Sequence, residues 1–275
     1  MASQASPETS GKCQRETSHP QSILYHMLNH EEQDETRWHL QHYHPGYSIS
    51  SAGCPCEATR KVVLRTPELT CMRASEVLLK TLTFIRNLPS FYHLPQEDQA
   101  CLVQRSWAPL FVLGLAQEWV NFELKEISVP SLLKKILLSP SLTDNDKVEN
   151  SSRGASLVEV QKMKNFLEKF WNSDICAKEY AYLKGIILFN PELPGLRFRH
   201  YVQSLQQEAQ RTLMEFSSMI YNRNLGRFAW LLGLLTSLKD VNAETIEELF
   251  FRPILGEVNL NELLLETLYS KQDLL

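Results

Sequence analysis

An all-α fold is what this sequence predicts, one layered helical domain behind a polar N-terminal tail, and three observations predict it. Apolar residues recur at spacings of three and four along most of the chain, as in Leu157, Val160, Met163, Phe166, Leu167, Phe170 and Trp171. That repeat lines one side of a 3.6-residue helix. No long run alternates with period two, the mark of a half-buried strand. Up to about Arg65 the chain is rich in Ser, Thr, His, Glu and Gln, with few aliphatics outside one short patch, and such a composition does not build a core.

The expected organisation is therefore a mostly disordered tail over 1–65 and a single helical domain over 66–275. In the first helix Val77, Leu78, Leu82 and Ile85 share a face, and Pro89 ends it. Phe91 and Leu94 can then fold inward across the break. Pro95, with Glu97 and Asp98 in the next turn, starts a second helix whose apolar face opens at Leu102 and Val103. A short hairpin is expected over Phe122 to Val129, and a flexible surface connection over Ser139 to Ala155, which is rich in Ser, Asn and Asp. Helical periodicity resumes over Leu157–Trp171 and continues through Glu179–Phe189, Val202–Ile220, Phe228–Leu238 and Glu244–Phe251, with breaks at Pro191, Pro194 and Pro253. No internal repeat is found.

Composition excludes several classes of function. With 275 residues, 43% hydrophobic and 22% charged, the chain can bury one large core. A formal charge of −4, with basic clusters no longer than Arg60-Lys61 or Lys134-Lys135, leaves no electrostatic footprint for nucleic acid. Six cysteines, of which only Cys54 and Cys56 are close together, cannot supply a DNA-binding module built on two four-cysteine zinc sites. No direct DNA binding is expected. Scattered cysteines point to a reducing compartment. Residues Met1 to Pro20 lack the apolar stretch of a signal peptide, and Leu110 to Ala116 is too short to cross a bilayer, so no membrane association is expected. Six of the eight histidines (His19, His26, His30, His39, His42 and His44) lie in the tail, but at no recognised metal spacing. No phosphate loop, nucleophile elbow or metal-hydrolase histidine pair is present. Neither a cofactor nor catalysis is expected.

The stretch Phe84 to Val103 carries the most specific pattern: Phe84, Ile85, Arg86, Phe91, Leu94, Asp98, Gln99, Leu102 and Val103. At these positions the chain resembles the signature of nuclear receptor ligand-binding domains. Trp107 to Gln117, Pro130 to Leu138, Lys178 to Gly185 and Leu249 to Gly256 resemble the subfamily of orphan receptors that lack a DNA-binding domain. The resemblance spans roughly Pro67 to Lys271. It implies a three-layer helical sandwich, a nuclear address with a cytoplasmic pool, and a transcriptional corepressor that pairs with other nuclear receptors and recruits further corepressors. It also suggests feedback control of bile acid and cholesterol metabolism. In such domains a cofactor helix is gripped at both ends through its dipole. Arg86 matches the basic clamp position and Glu266 the acidic one, while Arg in place of Lys, and Thr267 in place of an apolar residue, depart from the pattern.

The tail patch Gln21 to Asn29 sets Leu24, Met27 and Leu28 at i, i+3 and i+4, with Ile23 just before them. Two turns of helix do not hold together alone in water. The patch therefore needs a surface, and its spacing resembles the leucine-rich box that enters receptor cofactor grooves. Burying three such side chains yields roughly 4.5 to 9 kcal/mol gross, against about 2 to 5 kcal/mol for ordering the segment. The bland alternative is an N-terminal helix docked on its own domain. A second box, Leu133, Ile136 and Leu137, resembles the subfamily's other receptor contact, but lies among further leucines and reads equally as core. Literal matches at Leu231–Leu235 and Leu260–Leu264, in core-like helices, show that the bare pattern is a weak signal. The competing reading is a lipid sensor, in which Trp107, Phe111, Met163 and Phe170 line a cavity of at least about 300 Å³.

Overall fold

The computed structural model describes residues 60–127, 154–221 and 225–270. It opens with strand β1, Lys61–Leu64, whose alternation buries Val62 and Leu64. β1 pairs antiparallel with β2, Leu124–Ile127, in the register Lys61 to Ile127 and Leu64 to Leu124, and on its other side with β3, Ala155–Ser156. The order is β2-β1-β3. This corrects the hairpin expected over Phe122 to Val129: the strand there takes its partner from β1, some sixty residues earlier. Exposed ion pairs Arg60–Glu126 and Arg65–Glu123 flank that ladder.

Helix α1, Pro67–Arg86, starts on a proline with Glu68 in its first turn and buries Cys71, Ala74, Val77, Leu78, Leu82 and Ile85 on one face. A single turn, α2, Pro89–Tyr92, brings Phe91 inward, and α3, Gln96–Gln117, follows. From Ser106 to Ala116 nearly every α3 side chain is buried, which marks a helix walled in on all sides. Its approach to α1 is close: a Cβ on Gly114 would meet Val77 Cγ1 at 2.7 Å.

Helix α4, Leu157–Trp171, buries Val160, Met163, Phe166, Leu167 and Phe170, the face its spacing predicts. Helices α5, Ala177–Leu188, α6, Arg199–Ile220, and α7, Leu225–Leu238, complete the stack. α1 packs on α3, α3 on α4 and α5, α5 on α6, and α6 on α7, giving the helical layers. Among residues of α6 only Val202, Leu213 and Ser217 are buried, as suits an outer helix.

The helix expected over Glu244–Phe251 is instead α8, Ala243–Ile246, a π-helical turn, Glu247–Phe251, and α9, Arg252–Leu255. Leu249, Phe250 and Phe251 are all buried. Three consecutive side chains fan through about 200° in an α-helix, and the wider π turn narrows that fan toward the core. Phe250 and Phe251 meet Phe111 at ring separations of 5.5 and 5.2 Å, Phe122 meets Phe250 at 5.1 Å, and Trp107 meets Phe251 at 6.3 Å. Phe170 packs on Phe166 at 4.3 Å. Of the residues named above as cavity lining, Trp107, Phe111 and Phe170 are thus packed ring against ring, and Met163 is buried. The recess beside Met163 and Phe166 has a volume of about 30 Å³. The last described helix, α10, Leu260–Tyr269, buries Leu260, Leu264 and Leu268.

Candidate functional site

The loop joining α1, α2 and α3 owes its shape to side chains that bond back to the main chain. Asp98, 1% exposed, accepts from the amides of Arg197 (2.9 Å) and Phe198 (2.8 Å), tying the start of α3 to the segment before α6. A carboxylate so buried is retained by such charge-assisted bonds. Gln99 Nε2 donates to the Leu94 carbonyl at 2.8 Å and fixes the turn ahead of α3. Phe91 and Leu94 fold inward beside Ile85, Leu102 and Val103 in a second apolar cluster. Asp98 and Gln99 are therefore the residues that hold this corner together.

Against the same corner lies α10. Leu268 belongs to the cluster of Ile85, Phe91, Leu102 and Val103, while Leu260 and Leu264 enter the main core. The Tyr269 hydroxyl donates to Gln99 Oε1 at 3.2 Å, and burial, then Tyr92 nearby, pushes that phenol above its ordinary pKa. Arg86 Nη2 donates to the Ser270 carbonyl at 3.0 Å and Nη1 to the Thr267 carbonyl at 3.5 Å. A helix C-terminus leaves carbonyls without intrahelical partners and carries partial negative charge, so a guanidinium there meets both needs. Glu266 lies exposed on α10, one turn before this capped end. Thr267, half-buried, donates its hydroxyl to the Leu263 carbonyl at 2.7 Å.

The structure thus brings Arg86 onto α10 of its own chain, and Glu266 travels on that same helix. Leu24, Met27 and Leu28, like Leu133, Ile136 and Leu137, lie outside the described residues. The two literal leucine patterns are built into the interior: Leu231 and Leu234 on α7, and Leu260 and Leu264 on α10, are all buried.

One ion pair escaped sequence reasoning. Glu179, fully buried at the start of α5, accepts from Arg227 Nε and Nη2, each at 2.9 Å, and from the Cys176 amide at 2.9 Å. Arg227 also donates to the Ser173 carbonyl and lies over the rings of Tyr221 and Trp230. Burial, the largest single influence, would raise the Glu179 carboxyl, but the bonds from Arg227 and Cys176 together hold it below the ordinary range. The pair pins α5 to α7. A concavity of about 550 Å³ opens between α3, α5, α6 and α7, lined by Arg105, Pro109, Ile186, Gln206, Leu235 and Lys239 among others.

Among the described residues no cluster of three or more His, Cys, Asp or Glu could hold a metal ion, and no helix is long and apolar enough to cross a membrane. The family model for the ligand-binding domain of nuclear hormone receptor matches residues 58–254. Nuclear receptor subfamily 0 group B member 2 from Rattus norvegicus is 44% identical over 253 residues, covering 92% of this chain and 94% of that protein. The Homo sapiens protein of the same name is 45% identical over 212 residues, covering 77% and 82%. Nuclear receptor subfamily 0 group B member 1 from Sus scrofa is 42% identical over 235 residues, covering 79% of this chain but only 49% of that longer relative. Matched over well more than half its length, the chain belongs to the nuclear hormone receptor ligand-binding-domain family, and is a transcription regulator rather than an enzyme.

Proposed function

We propose that this chain is a transcriptional corepressor that binds other nuclear receptors through leucine-rich helices. Leu24, Met27 and Leu28, helped by Leu133, Ile136 and Leu137, occupy a partner's coactivator groove and exclude activating helices. The rest of the domain recruits corepressors, and the partner rather than this chain contacts DNA. The observation that carries the reading is the triad at 24, 27 and 28, at i, i+3 and i+4 in a stretch otherwise poor in aliphatics, within a chain whose relatives are nuclear receptors. The packed rings around Phe111 and Phe250 favour this over a lipid sensor. The test is titration against a purified receptor domain, with a parallel reporter assay of repression. Removing two buried leucine side chains by Leu24→Ala with Leu28→Ala costs about 3 to 6 kcal/mol of contact, so affinity should fall by about a hundredfold or more. Unchanged affinity and unchanged repression would remove this box from the mechanism.

A further inference from the structure

Space, an apolar wall and an uncommitted charge coincide in the concavity of about 550 Å³ between α3, α5, α6 and α7. Pockets that hold small molecules span about 300 to 1,000 Å³, so this one has room where the recess beside Met163 has none. Trp107, Phe111, Met163 and Phe170, which fill the interior, do not line it. The apolar wall comes from Ile186 on α5, Leu235 and Leu238 on α7, and Val241 just beyond, all buried or half-buried. The charges of the lining do not balance. Glu192 and Lys239, both exposed, pair with each other at 3.7 Å. Arg105, exposed on α3, has neither a hydrogen bond nor an ion pair with any described residue. Its guanidinium is therefore the net charge of the lining. Gln206 spends its amide nitrogen on the Ile186 carbonyl at 3.0 Å, whereas the amide of Gln210, half-buried in the same lining, bonds to no described residue.

We propose that this concavity binds a small amphipathic carboxylate, its apolar body against Ile186, Leu235 and Leu238 and its charged end on Arg105. A guanidinium presents parallel N–H donors in a fork that matches a carboxylate, and the uncommitted Gln210 amide adds a further donor. Charge selects the ligand class. A neutral apolar molecule leaves Arg105 unused, a cation is repelled by it, and a polyanion meets the Glu192 carboxylate as well. The site lies apart from the packed interior that argues against a lipid sensor, and apart from the leucine-rich boxes. It therefore goes beyond the corepressor reading and does not depend on it.

The probes are decanoate, octanoate and octan-1-ol, each titrated calorimetrically into three full-length chains: native, Arg105→Gln and Thr236→Phe. Both substitutions lie at exposed lining positions, outside the core. In the native chain decanoate should bind about fifteenfold tighter than octanoate, the effect of burying two more methylenes. Arg105→Gln removes a charge-assisted bond and should weaken decanoate about tenfold or more, while octan-1-ol, which has no charge, binds that chain and the native one alike. Thr236→Phe sets a ring into the space and should weaken all three probes. No binding of decanoate to the native chain, or an affinity that does not grow with chain length, overturns the proposal. So does decanoate binding that Arg105→Gln or Thr236→Phe leaves unchanged, because the ligand then sits elsewhere. Binding of the native chain to a receptor domain through Leu24 and Leu28 is measured separately, so either idea can fail without the other.

Discussion

Replacing Arg227 by Met tests how the buried Glu179 is held. Glu179 is fully buried, and Arg227 supplies two of its hydrogen bonds, at 2.9 Å each. Met keeps most of the side-chain volume but leaves the carboxylate with the amide and thiol of Cys176 and no countercharge, and an uncompensated buried charge costs about 3 to 5 kcal/mol. Lost contact with the Tyr221 and Trp230 rings adds about 0.5 to 1 kcal/mol. For a domain of this size each kcal/mol lowers the melting temperature by about 2 to 4 °C, so the variant should melt roughly 7 to 24 °C lower. Adding Glu179→Gln should recover part of the loss. The pH dependence has a definite sign. The folded-state pKa of Glu179 is lowered from an ordinary 4.5, so its contribution is present above that value and is lost as pH falls through the folded value. The gap between native and Arg227→Met should therefore narrow in acid. Thermal or urea denaturation at pH 7 and pH 4 measures both arms. A loss below about 1 kcal/mol at pH 7, or a gap that does not shrink in acid, would refute the reasoning.

Two further outcomes follow from the packing. Asp98→Ala strands the amides of Arg197 and Phe198 and should cost about 3 kcal/mol in urea denaturation, with Asp98→Asn losing less because one acceptor oxygen remains. Gly114→Ala puts a methyl 2.7 Å from Val77 Cγ1, so α1 and α3 must separate, at about 1 to 3 kcal/mol; adding Val77→Ala should restore most of it.

What local pattern encodes was legible in the sequence. The face of α4 and the inward turn of Phe91 and Leu94 follow from spacing and from two prolines. Arg86, Asp98 and Gln99 stood out because their chemistry is specified within twenty residues. What eluded the sequence depends on partners far along the chain. Lys61–Leu64 is too short to print a strand pattern, and its register is set by residues sixty and ninety positions on. The Glu179–Arg227 pair bridges 48 residues, and its capping residue is Cys176, not one of the side chains that usually signal a helix start. The seat taken by α10 was hidden for the same reason: Arg86 reaches Ser270 across 184 residues, and Glu266 rides on the helix so held. The π turn at Glu247–Phe251 left no periodic trace, since five residues are too few to separate one helical pitch from another.

The most direct measurement of the central claim is displacement. A labelled coactivator helix is bound to a purified nuclear receptor domain, and this chain is titrated in while polarisation is followed. The account predicts that the native chain releases the label completely, with a midpoint that moves to at least about a hundredfold higher concentration when Leu24 and Leu28 are both alanine. A native chain that binds the receptor while the label stays in place would contradict it.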